Sequence, residues 1–179
     1  MGPFLISKPL SLIFGRDTQP EAFSKWISKG KGPLSSTGFQ ATAAIASSFA
    51  HADNQSDWPD LTLTLYGNSV DNNFIHEISR SFGLKQDEIW KYYGSTSNLD
   101  SFHILVQPAR PKSRGQITLN SAGKNLYGLN IDPNYLGDEE NKDFRILAEG
   151  VKIALQLVEN FTTFQNLGAK FTTSILPGT

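Results

Sequence analysis

The stretch from Phe102 to Leu119 restricts the folding of this chain more than any other. Two short apolar runs, Phe102 to Val106 and Gln116 to Leu119, flank a basic connection that holds Pro108 and Pro111. Proline fixes φ and lacks the N–H that a helix interior or a central strand needs, so no helix passes through this connection. The segment reads as strand, loop and strand, with Gly115 giving the second strand a permissive start. An antiparallel ribbon with a long bend is the expected pairing. A second strand pattern stands at Leu61, Leu63 and Leu65, which alternate with Thr62, Thr64 and Tyr66. A period of two puts the leucines on one face and the polar residues on the other.

Helical spacing accounts for most of the remainder. Thr18-Gln19-Pro20-Glu21 has the form of a capping box and predicts a helix to about Lys29, with Ala22, Phe23, Trp26 and Ile27 on one face and Gly30 at its end. Thr37 to Phe49 suits a closely packed strand or buried extended segment, with helix as the alternative. Asp53 to Asp60 reads as a surface loop. Phe74, Ile75, Ile78 and Phe82 predict a helix within Asn68–Phe82 closed by Gly83, and a second short helix is expected over Gln86–Tyr93. Ser121 to Asn134, rich in Asn and Gly, reads as a loop in which Asp132-Pro133 starts a turn. The strongest helical pattern follows, with Phe144, Leu147, Ala148, Val151, Ala154, Leu155 and Val158 in one stripe that Ile146, Ile153 and Leu157 widen. Asp138-Glu139-Glu140 just before it suits the positive end of the helix dipole. These elements give an α+β class, an antiparallel β-sheet covered on one face by α-helices.

At 179 residues the chain is long enough for one domain with a sizeable core. Lys and Arg number 16 against 17 Asp and Glu, so no broad field draws it to nucleic acid or an anionic membrane. There is no cysteine, which excludes disulfides, zinc thiolate sites and thiol catalysis. The apolar opening is broken by Lys8-Pro9 with no small-residue cleavage site after it, so it is not read as a leader, and no run reaches the roughly 20 apolar residues of a membrane span. Two acceptor triplets for N-linked sugar occur, Asn54-Gln55-Ser56 and Asn160-Phe161-Thr162, and lend some support to secretion.

Few constellations carry chemistry on their own. Gly30-Lys31-Gly32 follows a helix and precedes Pro33, so it is a turn and not a dinucleotide fingerprint. Gly123-Lys124 lacks the first Gly and the final Ser/Thr of a phosphate loop. Arg110, Lys112 and Arg114 form a compact basic cluster, either an anion site or a solvated bend with one Arg paired to a neighbouring carboxylate. The bend is the favoured reading. His51, His76 and His103 have no metal-ligand spacing; His51 and His76 read as surface residues.

Taken in order, the motifs resemble one family. Gly30-Lys31-Gly32-Pro33-Leu34-Ser35-Ser36-Thr37-Gly38, then Arg110-Pro111-Lys112-Ser113-Arg114-Gly115, then Ile117-Thr118-Leu119-Asn120-Ser121-Ala122, then Ile131-Asp132-Pro133-Asn134-Tyr135, and the helix opening at Asp143-Phe144-Arg145, resemble the substrate-domain signature of the glucose–methanol–choline (GMC) flavoprotein oxidoreductases. Glucose dehydrogenase-like members of arthropods look most similar. The resemblance implies oxidation of an alcohol CH–OH, with hydride passing to FAD and a His near the family's C-terminus taking the hydroxyl proton. The flavin-holding strand–GxGxxG–helix and that His have no counterpart in residues 1–179, so no residue here is expected to be catalytic, to bind FAD or to bind a metal. FAD belongs to the full-length relative, and this segment alone is expected to bind none and to be inactive. Its expected partners are the flavin-binding part of its own chain and a small alcohol or sugar, and the resemblance favours secretion.

Family resemblance and strand parity together nominate Thr62, Thr64, Tyr66, His103 and Gln107 as lining the substrate cavity, the alternative being a solvent-facing half of the sheet. For the chain as a whole the alternative to an oxidoreductase segment is a free-standing, non-catalytic module that binds a small molecule or a protein. A polar exterior all round would favour that module, and an exposed apolar patch would favour the segment.

Overall fold

In chain order the elements are β1 (Phe4–Leu5), α1 (Phe14–Asp17), α2 (Pro20–Lys29), β2 (Phe39–Ile45), α3 (Ser48–Ala52), β3 (Leu61–Tyr66), α4 (Asn72–Phe82), α5 (Gln86–Tyr93), β4 (Ser101–Pro108), β5 (Gln116–Leu119), β6 (Leu129–Asp132), α6 (Lys142–Asn160), α7 (Thr162–Asn166) and β7 (Lys170–Phe171). They come from a computed structural model that describes residues 1–119 and 128–172. The Asn120-Ser121-Ala122 part of the signature and Gly123-Lys124 lie outside the described residues. The class is α+β, as the patterns require: five strands form an antiparallel sheet in the order β2-β3-β4-β1-β7, and helices accompany it.

Several local expectations are corrected, among them a buried extended segment over Thr37 to Phe49: β2 takes Phe39–Ile45, but none of its residues is buried, and Ser48–Ala52 is helical. The run Gln116–Leu119 does not return to Phe102–Val106; in the sheet β4 lies between β3 and β1. Instead β5 pairs with β6 in a separate ribbon, in the register Gln116↔Asp132, Ile117↔Ile131, Thr118↔Asn130 and Leu119↔Leu129. The Asn and Gly content around β6 hid its Leu129/Ile131 alternation within an expected loop. The capping box at Thr18 is also absent. Thr18 ends the short helix α1, its hydroxyl donating to the Phe14 carbonyl at 2.6 Å, and Gln19 precedes α2 without a side-chain cap.

The chain divides into two compact units, one formed by Met1–Ala43, Leu63–Leu105 and the chain from Ile153, the other by Ala44–Thr62 and Val106–Lys152. In the first unit Phe4, fully buried, stacks on Phe102 at 5.2 Å and meets Phe171 at 5.4 Å, while Phe102 stacks on Phe164 of α7. Such pairs add about 0.5–1.5 kcal/mol each beyond the area they bury. Asp71 caps α4 by accepting from the Phe74 N–H at 2.8 Å, and Gly83 ends that helix in the left-handed region. Helix α2 ends at Gly30 as expected, yet none of its residues is buried: Phe23, Trp26 and Ile27 are all exposed.

In the second unit α6 rests on Leu61 and Val106 through Gly150. A Cβ at that position would stand 2.6 Å from Val106 Cγ1 and 2.8 Å from Leu61 Cδ1, so only the missing side chain lets helix and strands approach this closely. In this unit the buried positions on α6 are Asp143, Ile146 and Gly150, while Phe144 is 58% exposed. The seam is rotated from the Phe144–Leu147–Val151 stripe that hydrophobicity alone selects. Ser47 and the buried Asp60 make a second anchor, the Ser47 N–H and hydroxyl donating to the carboxylate at 2.8 and 2.7 Å.

Candidate functional site

The five residues nominated for a cavity wall fall into different surroundings. In the second unit the Thr62 hydroxyl faces the Gln107 carbonyl at 3.4 Å, and the Gln107 side chain is exposed. In the first, the Thr64 hydroxyl shares a hydrogen bond with Thr42 at 3.1 Å, and the Tyr66 hydroxyl accepts from the Asn68 amide at 2.9 Å. His103 is packed beneath α4 and α5: Phe74 stacks on its ring at 5.1 Å, and Tyr93 and Tyr66 stand edge-on and tilted at 5.9 and 6.4 Å. His103 itself is 4% exposed.

This aromatic enclosure sets the chemistry of His103. Neither ring nitrogen has a hydrogen-bond partner among the described residues. Burial pushes the imidazole pKa down to about 4, because charge is disfavoured where water is excluded. The ring is therefore neutral at pH 7 and acts as a flat packing group. Burial likewise pushes the Tyr93 hydroxyl up to about 12, and raises Tyr66. A general base needs access to the proton it takes, and the His103 ring is buried.

The second unit contains a constellation of a different kind, built from the signature segments. The Asp143 carboxylate, fully buried in the first turn of α6, accepts from the Lys112 N–H at 2.7 Å, the Ser113 N–H at 2.9 Å and the Ser113 hydroxyl at 2.6 Å. Burial alone would raise its pKa, but these donors outweigh that and hold it below the ordinary carboxylate value. The Asn134 side-chain amide donates to the Arg114 carbonyl at 3.1 Å, and the Asn134 N–H donates to Asp132. Gly115 lies so close to the Asp132 and Pro133 carbonyls that a Cβ would be 2.5 and 2.6 Å from them. Arg-Pro-Lys-Ser-Arg-Gly, Asp-Pro-Asn-Tyr and the start of α6 are thus tied into one knot.

The basic cluster resolves accordingly. Arg110 is spent on its own unit, donating to the carbonyls of Pro59 and Trp58 and to the Gln55 amide oxygen, with its guanidinium 4.3 Å above the Trp58 ring. Arg114 folds back on the Pro111 and Ser113 carbonyls. The bend does hold a carboxylate, but through two backbone amides and the Ser113 hydroxyl and not through an arginine, and the carboxylate is the protein's own Asp143. Beside the knot opens a cleft of about 500 Å³ lined by Lys112, Arg114 and Lys142 and by Asp138, Glu139 and Glu140. Three cations and three carboxylates give it no preferred sign of ligand charge.

Sequence reasoning missed Asp143, taking it only as the beginning of a helix. Its signal was a carboxylate in register with Ile146, Gly150 and Ala154, where an unpartnered charge would not be tolerated. His51 and His76 are exposed, as expected. Among the described residues no group of His, Asp or Glu is placed to hold a metal ion, and no helix is long and apolar enough to cross a membrane. No protein-family model matches this chain, and no curated protein matches it.

Proposed function

We propose that this chain is a segment of an FAD-dependent GMC oxidoreductase acting on an alcohol CH–OH group, and that it contributes the substrate-binding domain. The observation that carries the reading is the knot at Asp143. Segments that resemble one family signature, 30 residues apart in sequence at Ser113 and Asp143, bond to one another through a buried carboxylate. Mutual bonding supports reading them as parts of one motif and not as scattered matches.

The surface supports a segment over a free-standing module. Register places Ile117 opposite Ile131 and Leu119 opposite Leu129, so the four side chains share one face of the β5–β6 ribbon. They are 67%, 64%, 83% and 50% exposed. Contiguous aliphatic surface of this kind marks a contact face. In this reading the flavin and the base that takes the hydroxyl proton belong to the remainder of a longer protein. The chemistry then is hydride transfer from the carbinol carbon to the flavin, and the residues of this chain shape and enclose the substrate's surroundings.

A visible absorption spectrum of the 179-residue protein, taken after gel filtration with and without added FAD, tests the reading. A colourless protein in both samples is expected. Stoichiometric flavin bands that survive filtration would mean that residues 1–179 build a cofactor site of their own, and the assignment to a substrate-binding segment would be wrong.

A further inference from the structure

We infer that Asn54 and Asn160 are acceptor sites for N-linked glycan. The chemistry asks for a side-chain amide and, two residues on, a hydroxyl, both presented to a large transferase on backbone that is not locked in a sheet or helix interior. Sequence supplies the triplets Asn54-Gln55-Ser56 and Asn160-Phe161-Thr162, and such triplets are common by chance. Placement discriminates, because a triplet that is buried or lies in the interior of a helix or strand cannot be reached.

Both triplets sit where the backbone leaves a helix. Helix α3 ends at Ala52, and Asn54 follows in the left-handed conformation with φ 56°, its N–H donating to the His51 carbonyl and the Gln55 N–H to Ala50. Asn54 and Ser56 are exposed, and neither side chain is hydrogen-bonded among the described residues. Asn160 is the last residue of α6, Phe161 is extended at φ −91° and ψ 128°, and Thr162 opens α7. That single extended residue turns the amide and the hydroxyl outward at a break between helices. Asn160, Phe161 and Thr162 are all exposed, and Phe161 is 60% exposed with no cover of its own. The apolar face of a first sugar on Asn160 would lie against that ring.

In the reaction the Asn Nδ2 attacks the anomeric carbon of a lipid-linked pyrophosphoryl oligosaccharide. The C–N bond forms, the C–O bond to pyrophosphate breaks, the lipid pyrophosphate leaves with the electron pair, and the amide proton passes to the transferase. No oxidant is involved. The inference is independent of the flavoprotein reading and requires only that the chain enters a glycosylating compartment.

The test is intact-mass measurement on the chain secreted from eukaryotic cells, and on the chain from the cells that make it naturally, before and after an N-glycan-releasing amidase. Two glycan mass steps are expected in both samples, one lost in N54Q or S56A and the other in N160Q or T162A. Release should convert Asn54 and Asn160 to Asp. A single unshifted mass in the secreted chain would overturn the structural argument, and a glycan step that survives N54Q or N160Q would overturn that asparagine's assignment. An unshifted mass in the natural chain alone would overturn the claim that the sites are used.

Discussion

Removing the Asp143 carboxylate should loosen the second unit more than any other single polar change. Its oxygens accept three hydrogen bonds from Lys112 and Ser113 at 2.6–2.9 Å, and the residue is fully buried. Hydrogen bonds to a charged group are worth about 1.5–3 kcal/mol each, but Lys112 is exposed and Ser113 half-buried, so water can serve the freed donors. The net cost of Asp143→Ala is therefore about 3 kcal/mol and not the sum. Asp143→Asn keeps the shape but offers one acceptor oxygen to three donors, and should cost about 2 kcal/mol. At about 2–4 °C per kcal/mol for a chain of this size, the alanine variant should melt about 6–12 °C lower.

Protonation provides the control. The Asp143 pKa is held below its unfolded value, so its contribution is fully present above the ordinary carboxylate pKa and is lost as pH falls through the folded-state value. Urea unfolding at pH 7 and near pH 3 should thus show the gap between wild type and Asp143→Asn narrowing in acid. A variant as stable as wild type at pH 7, or a gap unchanged by acid, would refute the assignment of Asp143 as the carboxylate that holds the knot.

Three further outcomes follow from the same structure. His103 has a pKa of about 4 when folded against about 6.5 unfolded, so its burial is free of charge cost above pH 6.5 and loses stability as pH falls from there to 4, by about 3 kcal/mol in all; His103→Phe should flatten that part of a urea-midpoint profile, and an unchanged slope would contradict it. Gly150→Ala gains about 1 kcal/mol of helix propensity but drives a Cβ to within 3 Å of Leu61 and Val106, and overpacking of about 1–3 kcal/mol should win; a raised melting temperature would show that the strands yield. Leu119→Lys, at a side chain 83% exposed, should shift the melting temperature by less than about 2 °C while lowering binding of a hydrophobic dye. A large loss of stability there would mean that the ribbon face is packed against the chain itself.

Much of the fold was legible where period and punctuation agreed. The Leu61–Tyr66 alternation, the Gly83 terminator and the length of α6 needed only local rules, and the structure has them. What escaped was decided by partners far away in sequence. Strand β6 was hidden because its register is set by β5, and the seam of α6 turned because Gly150 permits a close approach that hydropathy does not measure. Thr18 carried a helix-start signal but was claimed by the helix before it. At the candidate site, parity put His103 opposite Phe102 and Ile104 correctly, but parity says nothing of what lies on that face, and Phe74 and Tyr93 fill it. The knot at Asp143 joins residues about 30 apart, and no single window of sequence contains it.

The proposal that these 179 residues are an oxidoreductase segment is tested most directly by isolating, from the natural source, the gene product that contains them and recording its visible spectrum. On that proposal the product is longer than 179 residues and has flavin absorption bands that bleach when an alcohol or sugar is added under anaerobic conditions, with the isolated segment remaining colourless. A full-length product with no flavin, or one whose flavin is reduced by no alcohol or sugar, would contradict it.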